Sequence, residues 1–304
     1  MSFSQNSKLE IINKNLEKKV DAKSFLFSLC LSCGNFEEQN FVLLLDTTEL
    51  LPVLESIFKK LNITSNISEK NKTKIGFKEY FKIEFKKEEL EKLNINLNQI
   101  DAENFKNIDE IKSFVIGAFL GAATSSIKIS TKPEEKTTSG YHLEFDSKNE
   151  QFLITLQTLL QNFEIFGKII KRKNTYVLYI KDAENVSDTL ALVGASDSVL
   201  ALQNEIVKRE FRNKINRQTN CESGNISKMV SASMKQIEAI EKIERKIGLD
   251  SLSEDLQEVA LLRLANPEES LTDLLKLSTL NLTKSGLNHR LRKLIVIAYN
   301  LTWF

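Results

Sequence analysis

The front two thirds of the chain repeats one order of apolar and polar segments. Each copy begins with a compact apolar stretch, at residues 25–34 and 114–123, and continues with a strand-like stretch that ends in Asp46 or Asp146. Apolar residues at helical spacing follow in both copies, and strand-like sequence closes each one. This order predicts two related halves, each built as helix, strand, helix and strands, whose first helices pack together.

The second half closes with a predicted β-hairpin over residues 168–181 that turns near Lys173. Together the two copies predict an α+β domain over residues 1–184, with halves at about 20–100 and 108–184. The hairpin is basic, which suits contacts to DNA phosphates, and the candidates are Lys171, Arg172 and Lys173. An edge hairpin whose lysines discourage aggregation is the alternative interpretation.

From residue 185 onward the pattern is typical of helices alone. Residues 185–225 predict a basic connector, either an arm laid along DNA or a flexible linker, with phosphate candidates at Arg212 and Arg217. Residues 226–304 predict an all-α DNA-binding domain whose first helix ends at Gly248.

The end of this domain has the length and order of a helix-turn-helix, at about residues 270–301. Ser270 is a candidate N-cap for the first helix, and the second helix begins at about Lys284. Helical spacing predicts a buried stripe on the second helix, made of Leu287, Leu291, Leu294, Ile295 and Ala298. The N-terminal side stays exposed, where a recognition helix reaches base edges. The predicted base-reading residues are Lys284, Ser285, Asn288, His289 and Arg292, and the predicted phosphate contacts are Lys276, Arg290 and Lys293.

Net charge alone does not indicate a polyanionic partner, because the 304 residues balance 42 Lys and Arg against 41 Asp and Glu. Basic charge is instead concentrated at the C-terminal end, where no acidic side chain follows Asp273. A plain surface helix usually mixes both signs, so this imbalance favours a helix that lies against a polyanion. A basic helix packed on a partner protein is the alternative.

We expect a cytoplasmic, nucleoid-associated protein without a membrane segment. The start of the chain lacks the pattern of a signal peptide, and the longest apolar run, residues 114–123, is about half of what a bilayer span requires. Without an export signal, the three cysteines are expected to be reduced thiols.

The two apolar helices resemble the helices that give the LAGLIDADG homing endonucleases their name. Residues 26–34 (LFSLCLSCG) and 115–123 (VIGAFLGAA) carry the small residues that let such helices pack closely. In that family the penultimate acid of each motif binds the catalytic metal, and here Cys33 and Ala122 stand at the matching positions. Neither supplies the carboxylate oxygen that Mg²⁺ prefers, so we expect no catalytic residue, no metal or other cofactor, and no nuclease activity.

Three further segments resemble the WhiA family of sporulation and cell-division regulators. They are residues 216–228 (NRQTNCESGNISK), 263–268 (RLANPE) and 283–293 (TKSGLNHRLRK). Gly224 stands where that family usually has alanine, and the first half-domain is too divergent to carry over its DNA contacts. The resemblance implies a degenerate LAGLIDADG domain joined to a helix-turn-helix domain that is similar to region 4 of sigma factors.

The leading hypothesis is a sequence-specific, double-stranded DNA-binding transcriptional regulator. The resemblance implies a link to cell division and chromosome segregation. The alternatives are a protein-interaction module that binds an RNA polymerase sigma factor or another partner, and a divergent homing endonuclease. Weak salt dependence of DNA association would favour the interaction module, because neutralising phosphates makes DNA binding fall steeply with salt.

Overall fold

A computed structural model describes residues 2–37, 40–66, 72–75, 78–129, 140–279 and 282–301. The chain divides into two compact units, Met1–Arg209 and Glu210–Phe304. Each unit has its own apolar core. Within the described ranges, no helix combines the length and apolarity that a membrane span requires.

The first unit contains two layered halves, each with helices packed on an antiparallel sheet. The first half consists of α1 (Phe3–Ile12), α2 (Leu16–Lys19), α3 (Ala22–Cys33), β1 (Gly34–Glu37), β2 (Asn40–Leu45), α4 (Leu51–Leu61), β3 (Ser65–Asn66), β4 (Lys72–Ile75), β5 (Lys78–Lys86) and α5 (Lys87–Lys92). Its strands are ordered β1-β2-β5-β3, and β4 also pairs with β5. Phe41 faces Phe85 across β2 and β5, and both side chains are buried.

The second half repeats this plan. It consists of a short 3-10 turn (Ala102–Asn104), α6 (Ile108–Ala122), β6 (Ala123–Ser125), β7 (Leu143–Ser147), α7 (Glu150–Gln161), β8 (Lys168–Arg172), β9 (Thr175–Ile180) and α8 (Ala183–Leu192). The strand order is β6-β7-β9-β8, with β8 and β9 joined at Lys173, whose φ of 54° is left-handed. The predicted helix–strand–helix–strand repeat of an α+β fold is therefore confirmed.

Helices α3 and α6 pack against each other at close range because α6 carries glycines on the contact face. A Cβ built on Gly117 would lie 2.6 Å from the carbonyl oxygen of Phe25, and one on Gly121 would lie 2.8 Å from Ser32 Cβ. Side chains at these positions would force the helices apart. Aspartate and asparagine caps fix where the helices begin: Asp21 accepts from the Ser24 N–H at 2.8 Å, and Asn107 accepts from the Glu110 N–H at 2.9 Å.

The second unit is helical. It contains the C-terminal part of α9 (Ser196–Ile247), a 3-10 turn (Leu249–Ser251), α10 (Glu254–Ala265), α11 (Leu271–Leu277) and α12 (Lys284–Asn300). Its core joins the end of α9, through Ile240 and Ile243, to the apolar faces of the other three helices. The guanidinium of Arg263 is buried and donates to the carbonyls of Asn266 at 3.2 Å and Glu269 at 2.8 Å. It thereby shapes the loop after α10.

The segment 185–225, predicted as a basic connector, is helical along nearly its whole length. It contains most of α8 and the first part of α9, which begins already at Ser196 and not near residue 226. Two features anchor this start to the first unit: Leu202 is buried in its core, and Arg209 donates a hydrogen bond to the carbonyl oxygen of Lys128 at 3.2 Å. The structure therefore describes these residues as helix and not as an irregular linker.

Candidate nucleic-acid interface

Helices α11 and α12 form a pair whose positions are fixed by caps and by buried leucines. Ser270 accepts a hydrogen bond from the Asp273 N–H at 3.3 Å, as its predicted role as N-cap requires. Thr283 accepts from the Gly286 N–H at 3.1 Å and caps α12. Residues 280 and 281 of the predicted turn lie outside the described residues.

The predicted apolar stripe of α12 is buried almost as expected. Leu287, Leu291, Leu294 and Ala298 are buried, whereas Ile295 is only half-buried at its edge. The stripe fixes the rotation of the helix. On the opposite side Lys284, Ser285, His289 and Arg292 are exposed, and Asn288 is half-buried. All five predicted base-reading residues therefore lie near one another on the first part of one helix.

The basic residues around α12 divide into paired and unpaired groups. Lys276 Nζ lies 2.7 Å from Asp273 Oδ1, and Arg290 Nη2 lies 2.8 Å from Asp255 Oδ2. The hydrogen bond that Lys276 donates to Asp273 raises the pKa of Lys276 and stabilises its charge. A DNA phosphate must therefore displace Asp273 or Asp255 before it can bind Lys276 or Arg290.

By contrast, the remaining Lys, Arg and His candidates have no ion-pair partner within the described part of the chain. They are Lys284, His289, Arg292 and Lys293. Their donors are available to a ligand without any exchange of partners. These residues are therefore the better candidates for contacts to DNA.

Arg292 and Asn288 also line one wall of a surface groove of about 640 Å³. The opposite wall belongs to α9 and contains Ser227, Lys228, Ser231, Ala232, Lys235 and Gln236. The predicted site did not include these α9 residues. A signal was present in the sequence, because no acidic residue occurs between Glu222 and Glu238.

The basic candidates of the first unit are mostly engaged. Arg172 Nη1 lies 3.1 Å from Glu144 Oε2, and the Lys171 ammonium lies 5.6 Å from the centre of the Tyr176 ring. Lys173 occupies the exposed turn of the hairpin. The two candidates on α9 belong to the second unit: Arg217 is exposed and Arg212 is half-buried.

The positions that match the catalytic acids of homing endonucleases lie at the C-terminal ends of α3 and α6. Burial raises the pKa of the Cys33 thiol to about 12, and its Sγ lies 3.3 Å from the carbonyl oxygen of Leu29. Ala122 is buried. The Lys8 side chain lines the same small pocket as Ala122, is almost wholly buried, and places its ammonium 3.4 Å from Asp46. A neutral thiol, a methyl group, an ammonium and a single carboxylate that is already paired with that ammonium offer no favourable ligand set for a divalent cation.

Within the described ranges, no group of three or more His, Cys, Asp or Glu side chains is arranged to hold a metal ion. Cys30 also lies in the core, and burial raises its pKa well above the ordinary value. The lone Cys-x-x-Cys pair is thus part of helix packing.

Two family models match the chain in sequence order. The WhiA LAGLIDADG-like domain matches residues 111–212, and the WhiA C-terminal HTH domain matches residues 215–298. The first match covers the second half of the first unit. The second match covers α11 and nearly all of α12.

The chain is also similar to full proteins. It is 46% identical over 196 residues to a probable cell division protein WhiA of Clostridium acetobutylicum, in a match that covers 64% of this chain and 59% of that protein. It is 41% identical over 214 residues to the protein of the same description in Clostridium botulinum, covering 69% and 65%. The matches therefore span about 59% and 65% of these relatives' lengths. A crystal structure of full-length DUF199/WhiA from Thermatoga maritima aligns with a TM-score of 0.56 and 28% identity, covering 99% of both chains.

Proposed function

The chain belongs to the WhiA family, and on that premise we propose that it is a sequence-specific, double-stranded DNA-binding transcriptional regulator without nuclease activity. The relatives' description as probable cell division proteins supports a role in cell division, to which the proposal adds chromosome segregation. Such a protein acts at the nucleoid in the cytoplasm.

The observation that carries this proposal is the exposed face of α12. Lys284, His289 and Arg292 project from the N-terminal part of a capped helix and have no ion-pair partner among the described residues. Arg bidentate to guanine and Asn bidentate to adenine are the pairings that read bases in the major groove. Arg292 and Asn288 lie one helical turn apart and are assigned these roles, while Lys284, Ser285 and His289 contact neighbouring base edges.

Phosphate contacts position the helix without specifying sequence. Lys293 is assigned this role first because it is exposed and has no ion-pair partner in the described part of the chain. Lys276 and Arg290 also contact phosphates, but each must first leave its carboxylate partner, Asp273 or Asp255. The hairpin residues Lys171, Arg172 and Lys173, and Arg212 and Arg217 of α9, complete the proposed phosphate contacts.

The absence of nuclease activity is proposed from the ends of α3 and α6. The ammonium of Lys8 and the neutral Cys33 disfavour a second cation where metal-assisted hydrolysis requires one to activate water.

The test is selection of a randomised duplex pool by gel shift with the purified full chain, in Mg²⁺ and at low and high KCl. We expect one enriched motif on intact, shifted DNA, with affinity that falls steeply as salt rises. Cleaved DNA would show that the protein is a nuclease. A shift that is insensitive to salt, or no shift at all, would contradict DNA binding and favour a protein partner.

A further inference from the structure

The second unit has a basic surface beyond α12, on the wall of the groove that α9 provides. Lys228, Ser231 and Lys235 follow one another at i, i+3 and i+7 and therefore share one face of the helix. All three side chains are exposed and line the groove opposite Arg292. The two lysines are two turns apart, which is about 10 Å along the helix axis.

The charge of this face is uncompensated. Neither lysine has an ion-pair partner among the described residues, and the nearest acidic residues along the helix are Glu222 and Glu238. Elsewhere on α9, Arg209 is neutralised by a glutamate one turn away. A cationic face of this kind fits an anionic ligand.

The shape of the face fits a chain of anions more than a compact one. Ser227, Ser231 and Ala232 have small side chains, so a bulky backbone can approach the helix closely between the lysines. The serine hydroxyls add hydrogen-bond donors. Gln236, which is 6% exposed, also lines the groove.

We propose that this α9 face binds the phosphate backbone of the same DNA duplex whose bases α12 reads. The inference rests on the proposed function of α12. One DNA strand carries a phosphate per about 3.4 Å of duplex axis, so two lysines about 10 Å apart bind different phosphates. Lysine is a compact cation without the planar fork of arginine, and it positions DNA without reading its sequence. The groove thus holds one strand between the phosphate-binding face of α9 and the base-reading face of α12.

The experiment compares full-length variants on two duplexes, the one enriched by selection and one of random sequence, across a KCl series. The variants are Lys228→Ala, Lys235→Ala and the double variant. Lys246→Ala is the matched control, because Lys246 is also exposed on α9 but does not line the groove. Circular dichroism of each variant checks that the fold is retained.

We expect the double variant to weaken binding to both duplexes by a similar factor, on the order of tenfold, and to reduce the slope of log affinity against log salt by about 2. Lys246→Ala leaves both quantities unchanged. Replacing both lysines by arginine keeps the charge and restores the slope.

Two other results overturn the inference in distinguishable ways. If the wild-type chain and Arg292→Ala behave as the proposed function requires but the double variant matches Lys246→Ala, the α9 face does not bind DNA. If the wild-type chain itself shows no salt-sensitive binding, and Arg292→Ala changes nothing, then the proposed function fails and this inference fails with it.

Discussion

The two units differ in how they surround a basic side chain. The contrast is between Lys8, beside the ends of α3 and α6 in the first unit, and Arg292, on the exposed face of α12 in the second unit. Lys8 is almost wholly buried, pairs with Asp46 and lies near the neutral thiol of Cys33. Arg292 is exposed and has no ion-pair partner within the described residues. Lys8 is held in an ion pair inside the protein, whereas the guanidinium of Arg292 is available to a ligand. The comparison shows that a basic residue can bind an external anion only where it is exposed and unpaired, and that the net charge of the chain does not reveal such residues.

The largest expected contrast is in thiol reactivity. Burial raises the pKa of Cys33 to about 12, so at pH 8 only about one part in ten thousand of this thiol is thiolate, the form that reacts. Cys30 is buried as well, whereas Cys221 is exposed. We expect iodoacetamide at pH 8 to label Cys221 rapidly, and Cys30 and Cys33 only after unfolding in urea, as measured by mass spectrometry of the peptides. Equal labelling of the three thiols in the folded protein would show that the ends of α3 and α6 are accessible to solvent.

Close packing of α3 on α6 is tested by Gly117→Val. The new side chain must displace the backbone of Phe25, so we expect a loss of about 3 kcal/mol in the free energy of unfolding of the first unit. Urea denaturation followed by circular dichroism measures this loss. A change below about 0.5 kcal/mol would mean that the helices are not in contact there.

The distinction between paired and unpaired cations is sharpened by Asp255→Asn. This change frees Arg290 from its ion pair, and we expect affinity for random DNA to rise a few-fold and the salt slope to steepen by about 1. The exposed pair itself stabilises the fold by no more than about 1 kcal/mol.

The control for this variant is Glu254→Gln. Glu254 is the neighbouring exposed carboxylate in the same first turn of α10 and has no ion-pair partner among the described residues, so its removal changes net charge by the same amount. If both variants raise affinity equally, the effect comes from net charge and not from Arg290.

The smallest expected effect is at Gly224, which lies inside α9 on an exposed stretch where an added Cβ would meet no other atom within 4 Å. Alanine favours the helix by about 0.5–1 kcal/mol over glycine there. We expect Gly224→Ala to slow amide hydrogen exchange over residues 216–228 without changing DNA affinity. Faster exchange would contradict the helical conformation of this stretch.

Sequence patterns predicted the elements that depend on local periodicity. The stripe of α12 and the small-residue faces of α3 and α6 were readable because each repeats within a few turns. The length of α9 was not readable, because residues 216–227 are rich in Asn, Ser and Thr and contain Gly224, all of which are poor helix formers.

The candidate site was predictable in its main helix and not in its surroundings. The α12 side chains follow one another along the chain, so one helical face collects them. The ion pair of Arg290 with Asp255 joins residues that are 35 positions apart in the chain. Lys228 and Lys235 line the same groove as Arg292 only because α9 and α12 pack together in the core of the second unit. Tertiary contacts of this kind leave no periodic signal in the sequence.

The central claim, that α12 reads DNA sequence, is tested most directly by the affinities of wild type and Arg292→Ala for the selected duplex and for random duplex at one salt concentration. We expect the variant to weaken binding to the selected duplex by about 1–3 kcal/mol and to leave binding to random DNA nearly unchanged, because a bidentate contact to guanine is lost. Equal losses on both duplexes would contradict base reading and make Arg292 a phosphate contact.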